Sequence, residues 1–270
     1  MNGLAGESRA KMPRYRGFTL VEMIIAIVIV GILSIGATRF ITASVGGYVD
    51  TAQRQQLATA GLLAAEKVSR DLRNALPNSI RLRASDLCIE YIPIEGGTDY
   101  ITIPVDTAGN KLVTLSANIT LSSSFRFVVY PLNTIDLYNR PDPGPVSPVF
   151  SSSTGGADDS EIITLAANHR FATDSPTRRL YVVSSPKAYC FDDTKLYYYS
   201  GYATYEGDGR PDSSTRMVIL DDLQTTGGLS EFDYVPASLV RNAVVNFRFS
   251  LSNGLNNWLT EQEVQIRNVP

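Results

Sequence analysis

The stretch that decides the fold lies near the amino terminus, where residues 17–38 read GFTLVEMIIAIVIVGILSIGAT. Glu22 is its only ionisable side chain. As a helix, the run is long enough to cross the roughly 30 Å hydrocarbon core of a bilayer. A carboxylate at that depth costs about 2.5 to 3.5 kcal/mol on insertion scales. The stretch therefore predicts a membrane-spanning helix in which the single acid has a specific role.

Basic side chains flank the apolar run. Lys11, Arg14 and Arg16 precede it and Arg39 follows it. Basic residues before a span favour a cytoplasmic amino terminus, with the remainder of the chain on the other side of the inner membrane. Met12 is an alternative start to Met1 and would leave a very short leader.

Two simpler interpretations of this stretch give Glu22 no specific role: an ordinary secretory signal and a plain membrane anchor. Both also place basic residues before an apolar run. Small residues at Ser34 with Gly36, and at Ser44 with Gly46, are compatible with a conventional signal cleavage site. Against a secretory signal, the run exceeds the core of about 7 to 15 residues typical of such signals. An ordinary signal also has no use for Glu22.

The helical pattern continues beyond the apolar run. Apolar residues recur at spacings of three, four and seven, which predicts one stripe along a helix: Ile41, Val45, Tyr48, Val49, Ala52, Leu57, Ala64, Val68 and Leu72. Lys67 and Asp71 stand four residues apart and predict a weak ion pair on the outer face. With Pro77 as the terminator, 18–75 becomes one helix of about 58 residues, with a bend expected at 46–47.

After Pro77 the pattern changes to alternation of polar and apolar residues, which is typical of half-buried antiparallel strands. The predicted strands are 80–83, 87–92, 100–104, 112–115, 119–121, 125–130, 162–166, 180–185, 189–192, 196–205, 218–220, 244–252 and 263–269. Turns are predicted at 192–195 and at Asn253-Gly254. Residues 141–160 are rich in Pro, Gly and Ser and predict a long loop between two halves of one head.

The predicted fold class is therefore α+β, with a long amino-terminal helix packed on a large antiparallel β-rich head. We divide the chain into a leader at 1–17, a transmembrane half-helix at 18–38, an amphipathic half-helix at 39–76 and a head at 77–270. The head carries fifteen basic and twenty-two acidic side chains, a net charge of −7. Nucleic-acid binding is not expected, because phosphate contacts need clustered Lys and Arg.

Two cysteines, Cys88 and Cys190, fall in strand-like segments of the exported head, and the chain has no others. In an oxidising compartment they favour a disulfide, and two unpaired buried thiols are the alternative. Closing a loop of about 100 residues would contribute up to roughly 4 to 5 kcal/mol. Without a C-x-x-C spacing, neither a zinc site nor a redox role is indicated.

Few residues suggest chemistry. His169 is the only histidine, and we expect it at the surface or at a strand end. No nucleophile or phosphate-binding motif accompanies it, so an enzyme is not expected and no cofactor is predicted. Asp208 and Asp212, in the Gly-rich stretch 206–212, are weak candidates for calcium, but they lack the ligand spacing of a known loop. A solvated turn is the better interpretation.

The tyrosines at 197–199, with Tyr202 and Tyr205, are candidates for recognition, since exposed tyrosines stack on sugars and pack in interfaces. Tyr197, Tyr199 and Tyr205 share one parity along the predicted strand. Half-burial against the core therefore explains most of them.

Residues 17–22 resemble the class III signal of type IV pilins and pseudopilins. The resemblance implies that a prepilin peptidase cuts after Gly17 and N-methylates Phe18. Glu22 then becomes the fifth mature residue, and its carboxylate neutralises the new α-amino group of a neighbouring subunit inside a filament. Such a charge pair in low dielectric is needed by both partners.

The large head resembles minor pilins and J-type pseudopilins, and the helix exit at 68–73 is loosely similar to theirs. The tail at 263–270 is similar to O-type minor pilins of the mannose-sensitive haemagglutinin pilus. These resemblances imply coassembly with minor and major pilins and an inner-membrane assembly platform, with the head at the pilus tip and the cell surface. The alternative is a tip recognition module, or a J-type pseudopilin of a type II secretion system, that binds a glycan or an exported substrate.

Overall fold

The protein is described by a computed structural model. It covers residues 17–83, 87–116, 119–202, 209–211, 215–225, 227, 229–237 and 241–266. The chain divides into two units, Met1–Ala52 and Gln53–Pro270. Helix α1, Leu20–Arg73, contributes residues to both units.

In the first unit, every residue from 17 to 49 is exposed. Within the described residues, α1 is the one helix long and apolar enough to cross a membrane. Three hydroxyls in it are satisfied internally: those of Ser34, Thr38 and Thr42 each donate to the carbonyl four residues earlier, at 2.7 to 2.9 Å. Gly46 and Gly47 both have helical backbone, so the helix assignment continues through the expected bend.

In the second unit, one face of α1 is buried, as the apolar stripe predicts: Leu57, Gly61, Ala64, Ala65, Val68, Ser69 and Leu72. The absence of a side chain at Gly61 lets α1 lie close to Leu251 and Thr260. A Cβ placed there would lie 2.8 Å from Thr260 Oγ1 and 3.2 Å from Leu251 Cδ1. The helix ends at Arg73, before Pro77, and Asn74 then exchanges hydrogen bonds with Ile94 through its carbonyl and its side-chain amide.

Fourteen strands and a second helix follow α1 in the described part of the chain. The strands are β1 Arg81–Arg83, β2 Cys88–Tyr91, β3 Ile94–Thr102, β4 Gly109–Leu115, β5 Arg126–Val129, β6 Val146–Gly155, β7 Ser160–His169, β8 Arg179–Val183, β9 Lys187–Asp192, β10 Lys195–Ser200, β11 Thr215–Leu220, β12 Glu231–Val235, β13 Ala243–Ser252 and β14 Asn257–Ile266. Helix α2, Thr134–Asn139, lies between β5 and β6.

The strands form three antiparallel arrangements. One sheet has the order β1-β2-β9-β10-β11, a second has the order β12-β13-β14, and six strands close into a barrel in the order β3-β4-β7-β6-β5-β8. The barrel closes through pairing of β3 with β8. Closure removes the free edges that an open sheet exposes.

Of the four apolar clusters in the described part of the chain, three join these layers. The largest joins α1 to both open sheets, with Val68, Tyr189 and Phe247 among its members. The second fills the barrel, where Phe127 belongs to it. The third lies on the opposite face of the barrel strands, where Val128 packs with α2. Alternate residues of β5 thus face opposite sides, as strand geometry requires.

The predicted α+β class, with a long helix and an antiparallel β-rich head, is confirmed. Both predicted turns are also present: Asp193 between β9 and β10 has φ 56°, and Gly254 between β13 and β14 has φ +85°. In contrast, 119–121 is not a strand, and α2 and β12 were not predicted.

The loop predicted over 141–160 was wrong, because Val146–Gly155 forms β6 and pairs with both β5 and β7. The sequence did not predict this strand because its proline and serines interrupt the apolar alternation typical of a strand. Pro148 lies where the register with β5 shifts, and a bulge of that kind tolerates a missing amide. The following serines, 151–153, are exposed on the barrel surface. Hydrogen bonds from two neighbouring strands, and not apolar alternation, define this element.

Candidate functional site

The amino-terminal site begins with Gly17, Phe18 and Thr19, which directly precede α1. Phe18 is 78% exposed. Thr19 caps the helix: its Oγ1 accepts the Glu22 amide at 3.2 Å and its carbonyl accepts the Met23 amide at 3.2 Å. Threonine followed three residues later by glutamate is the spacing of a capping box. Thr19 is therefore a residue that sequence reasoning missed, although its spacing to Glu22 could have revealed it.

Glu22 is exposed in the first turn of α1, where the helix dipole favours a negative charge. Within the described residues, no basic side chain forms an ion pair with it. In water, an exposed carboxylate without an ion-pair partner costs little free energy. In hydrocarbon, or among apolar helices, the same carboxylate needs a cationic partner from outside the described residues.

Gly17 is not required by local packing. A Cβ built at this position meets no atom within 4 Å. The fold would therefore accept a larger residue, and any need for glycine here comes from something that acts on the chain from outside. An exposed Gly-Phe bond immediately before a capped helix is accessible to a processing enzyme.

The predicted disulfide is present between Cys88 and Cys190, with an S–S distance of 2.08 Å. The two residues are direct cross-strand partners on β2 and β9, and both are fully buried. Tyr199 and Tyr202 are buried beside the bridge, and Tyr197 packs against the same cluster. The tyrosine stretch therefore serves the core largely as parity predicted, and Tyr205 lies outside the described residues.

The predicted Lys67 and Asp71 ion pair forms at 3.2 Å, but the carboxylate does more than pair on an outer face. Asp71 Oδ2 also accepts hydrogen bonds from Tyr189 Oη at 2.6 Å and Tyr91 Oη at 3.2 Å. Burial, together with the Asp71 charge, raises the pKa of both phenols. Asp71 therefore ties the helix to β2 and β9.

A second acid is buried completely. Glu90 on β2 accepts from Arg81 Nε at 2.5 Å and from Arg83 Nη1 at 3.2 Å through one oxygen. Its other oxygen accepts from Tyr202 Oη at 2.9 Å. Arg83 is itself buried, and Arg81 is partly so. This network connects β1, β2 and the segment after β10.

Replacing Glu90 with glutamine is expected to lower the free energy of unfolding by about 3 kcal/mol, because it leaves the buried Arg83 charge without its carboxylate. Equilibrium denaturation of the full chain in detergent measures the loss. Glu261→Gln is the matched control, since Glu261 pairs with Arg248 in an exposed position at 3.6 Å. The control should cost less than about 1 kcal/mol. Equal losses in the two variants would contradict a structural role for the Glu90 network.

The remaining predicted candidates contribute little chemistry. His169 ends β7, as expected, but it is buried and not at the surface. Its Nε2 lies 3.1 Å from the Gly144 carbonyl and its Nδ1 lies 3.4 Å from Asp142 Oδ1. Burial lowers its pKa despite these partners. Asp208 and Asp212 lie outside the described residues, within which no three His, Cys, Asp or Glu side chains cluster as a metal site.

Comparison with known proteins yields one match. Residues 12–38 match the family model described as the prokaryotic N-terminal methylation motif. The match supports the type IV pilin and pseudopilin class, whose members are structural proteins, and a role in a pilus or in secretion. No curated protein and no solved structure matches the chain significantly.

The matched segment coincides with the site described above. It includes Gly17, Phe18 and Glu22 and ends at Thr38, within the exposed apolar part of α1. The apolar amino-terminal helix and the motif together fit a membrane-anchored pilin. The motif also implies prepilin peptidase processing and pilin assembly in general.

Proposed function

We propose that this protein is a minor pilin that coassembles with other minor pilins to initiate or cap a type IV pilus of the mannose-sensitive haemagglutinin kind. The observation that carries the proposal is the Gly17-Phe18 bond before a capped helix whose first part, up to residue 38, is apolar and exposed and has Glu22 as its one ionisable side chain. The match over 12–38 supports it.

The proposed processing takes place at the Gly17-Phe18 bond. A prepilin peptidase cuts after Gly17 and methylates the amino group of Phe18, while the basic leader stays on the cytoplasmic side. The head lies in the periplasm, and the inner-membrane assembly platform then moves the helix from lipid into the filament. There the Glu22 carboxylate pairs with the α-amino group of a neighbouring subunit.

The head favours a rare subunit over a repeating one. It combines two open sheets with a separate six-stranded barrel. A head of this size is accommodated most easily at a tip, where no further subunit stacks above it. Its β-rich layers are also held by a disulfide, which suits an oxidising exterior.

The second candidate is a J-type pseudopilin of a type II secretion system, or a tip module that recognises a glycan or an exported substrate. Pilins and pseudopilins share the amino-terminal motif, so the motif supports this second candidate as much as it supports a minor pilin. Copurification separates them: a minor pilin retains other minor pilins, whereas a recognition module holds its ligand without them.

Mass analysis of the mature amino terminus tests the proposal directly. The expected product begins at Phe18 and carries one methyl group on its α-nitrogen. A product that begins after the apolar run would indicate an ordinary secretory signal. An uncut terminus from cells with active peptidase would indicate a plain membrane anchor.

A further inference from the structure

A small pocket lies on the outer face of the barrel. Arg126, the first residue of β5, is paired in register with Val149 of β6 and Val183 of β8. Arg140 directly follows α2 and has a left-handed backbone, with φ 52°. The cavity measures about 200 Å³ and is lined by Ser124, Arg126, Arg140, Val149, Ser184 and Ser185.

The position of Arg126 follows from strand parity. Phe127 fills the barrel, whereas Val128 packs outward against α2. Arg126 shares the parity of Val128, so it emerges on the outer face beside the end of α2. The register of β5 and the length of α2 thereby bring two arginines together that are fourteen positions apart in the sequence.

Neither arginine has a carboxylate partner within the described residues. Arg126 Nη1 donates to the Ser147 carbonyl at 2.9 Å. Arg140 Nε is buried and makes no hydrogen bond. Burial lowers the pKa of both guanidinium groups, and the nearby Arg126 charge helps lower that of Arg140 to about 10. The head as a whole has seven more acidic than basic side chains, whereas this pocket contains two arginines without a carboxylate partner among the described residues.

One carboxylate approaches the edge of the pocket. Ser184 Oγ donates to Glu95 Oε1 at 2.7 Å. Glu95 also lies 3.9 Å from Lys187 Nζ, and it pairs with neither arginine. Counting Arg126, Arg140, Lys187 and Glu95, the surroundings carry a net charge of about +2 from these four groups.

We propose that this pocket binds a compact oxyanion of the sulfate, phosphate or carboxylate type, held between Arg126 and Arg140. Two guanidinium groups that are close together and partly desolvated cost free energy, which a bound anion offsets. Planar guanidinium groups match oxyanions through paired charge-assisted hydrogen bonds. The volume is below the roughly 300 to 1,000 Å³ of a drug-sized site, so it accommodates one anionic group.

Sulfate titration of the full mature chain in detergent tests the proposal, at constant ionic strength maintained with chloride. The arginine Nε–H resonances report binding, and that of Arg140 is expected to shift to saturation. Arg140→Gln and Arg126→Gln should each weaken binding by about ten- to a hundredfold, the equivalent of losing one charge-assisted hydrogen-bonded group. The midpoint of thermal unfolding gives a second readout, since a ligand that binds the native state raises it.

Arg179→Gln is the matched control, because it removes one exposed positive charge from β8 and leaves the pocket intact. It should bind sulfate like the parent protein. A second arm compares a sulfated disaccharide with inorganic sulfate: tighter binding of the disaccharide identifies a saccharide as the carrier, and equal binding identifies the free ion. A response that fails to saturate, or that survives both pocket substitutions, would overturn the site.

Discussion

Glu22→Ala is expected to leave processing intact and to abolish coassembly into the filament. The carboxylate is exposed and has no cationic partner among the described residues, so its removal costs the isolated helix less than about 1 kcal/mol of dipole stabilisation. In the filament, however, an unpaired α-amino group among apolar helices costs several kcal/mol. The measurement is recovery of the protein in sheared pili, together with the mass of its amino terminus.

Gly17→Leu is expected to have the opposite pattern. The precursor should accumulate uncut in the inner membrane, although the fold accepts a side chain at this position, because a Cβ there meets no atom within 4 Å. The precursor should retain its leader and lack methylated Phe18. Since packing cannot account for the defect, the loss would report the peptidase requirement alone.

Thr19→Val provides the control for both variants. It removes the hydroxyl that accepts the Glu22 amide, which costs about 1 kcal/mol of helix capping, but it keeps Gly17 and the carboxylate. We expect cleavage and assembly to continue. Normal filament incorporation of Glu22→Ala, or normal cleavage of Gly17→Leu, would remove the basis for the filament proposal.

Much of the fold could be predicted because its signals are local. The apolar run at 17–38 is recognisable by length alone. Alternation revealed most of the strands, and Asn253-Gly254 specifies a turn whose glycine has positive φ. The disulfide was also predictable, since a chain with two cysteines whose head is expected in an oxidising compartment offers one pairing. Each of these features depends on residues near one another in the sequence or, for the disulfide, on the number of cysteines.

Features that depend on pairing between distant segments could not be predicted. Closure of the barrel requires β3 to pair with β8, some eighty residues later. β6 carries no apolar alternation in its second half and depends on its neighbours for definition. The placement of Glu90 between two arginines also needed the register of β1 on β2. The pocket at Arg126 and Arg140 depends in the same way on where α2 ends.

Removing the Cys88 and Cys190 bridge is expected to lower the free energy of unfolding by about 4 to 5 kcal/mol. The sequence separation is 102 residues, and a closed loop of that length restricts the unfolded chain strongly in the chain-entropy treatment. The enclosed segment contains the whole barrel, so the unfolded state gains freedom over a large part of the head when the bridge is absent.

The comparison uses the full mature chain in detergent, unfolded by denaturant with and without a reducing agent, beside Cys88→Ala/Cys190→Ala. Reduced parent protein keeps both sulfur atoms in the cluster with Tyr199, so its loss isolates the bridge, whereas the double alanine variant adds a packing loss. The dependence on denaturant should also steepen without the bridge, because a less constrained unfolded chain exposes more surface. A reduced protein within about 1 kcal/mol of the oxidised one would show that the cross-strand contact of β2 and β9 holds without covalent help.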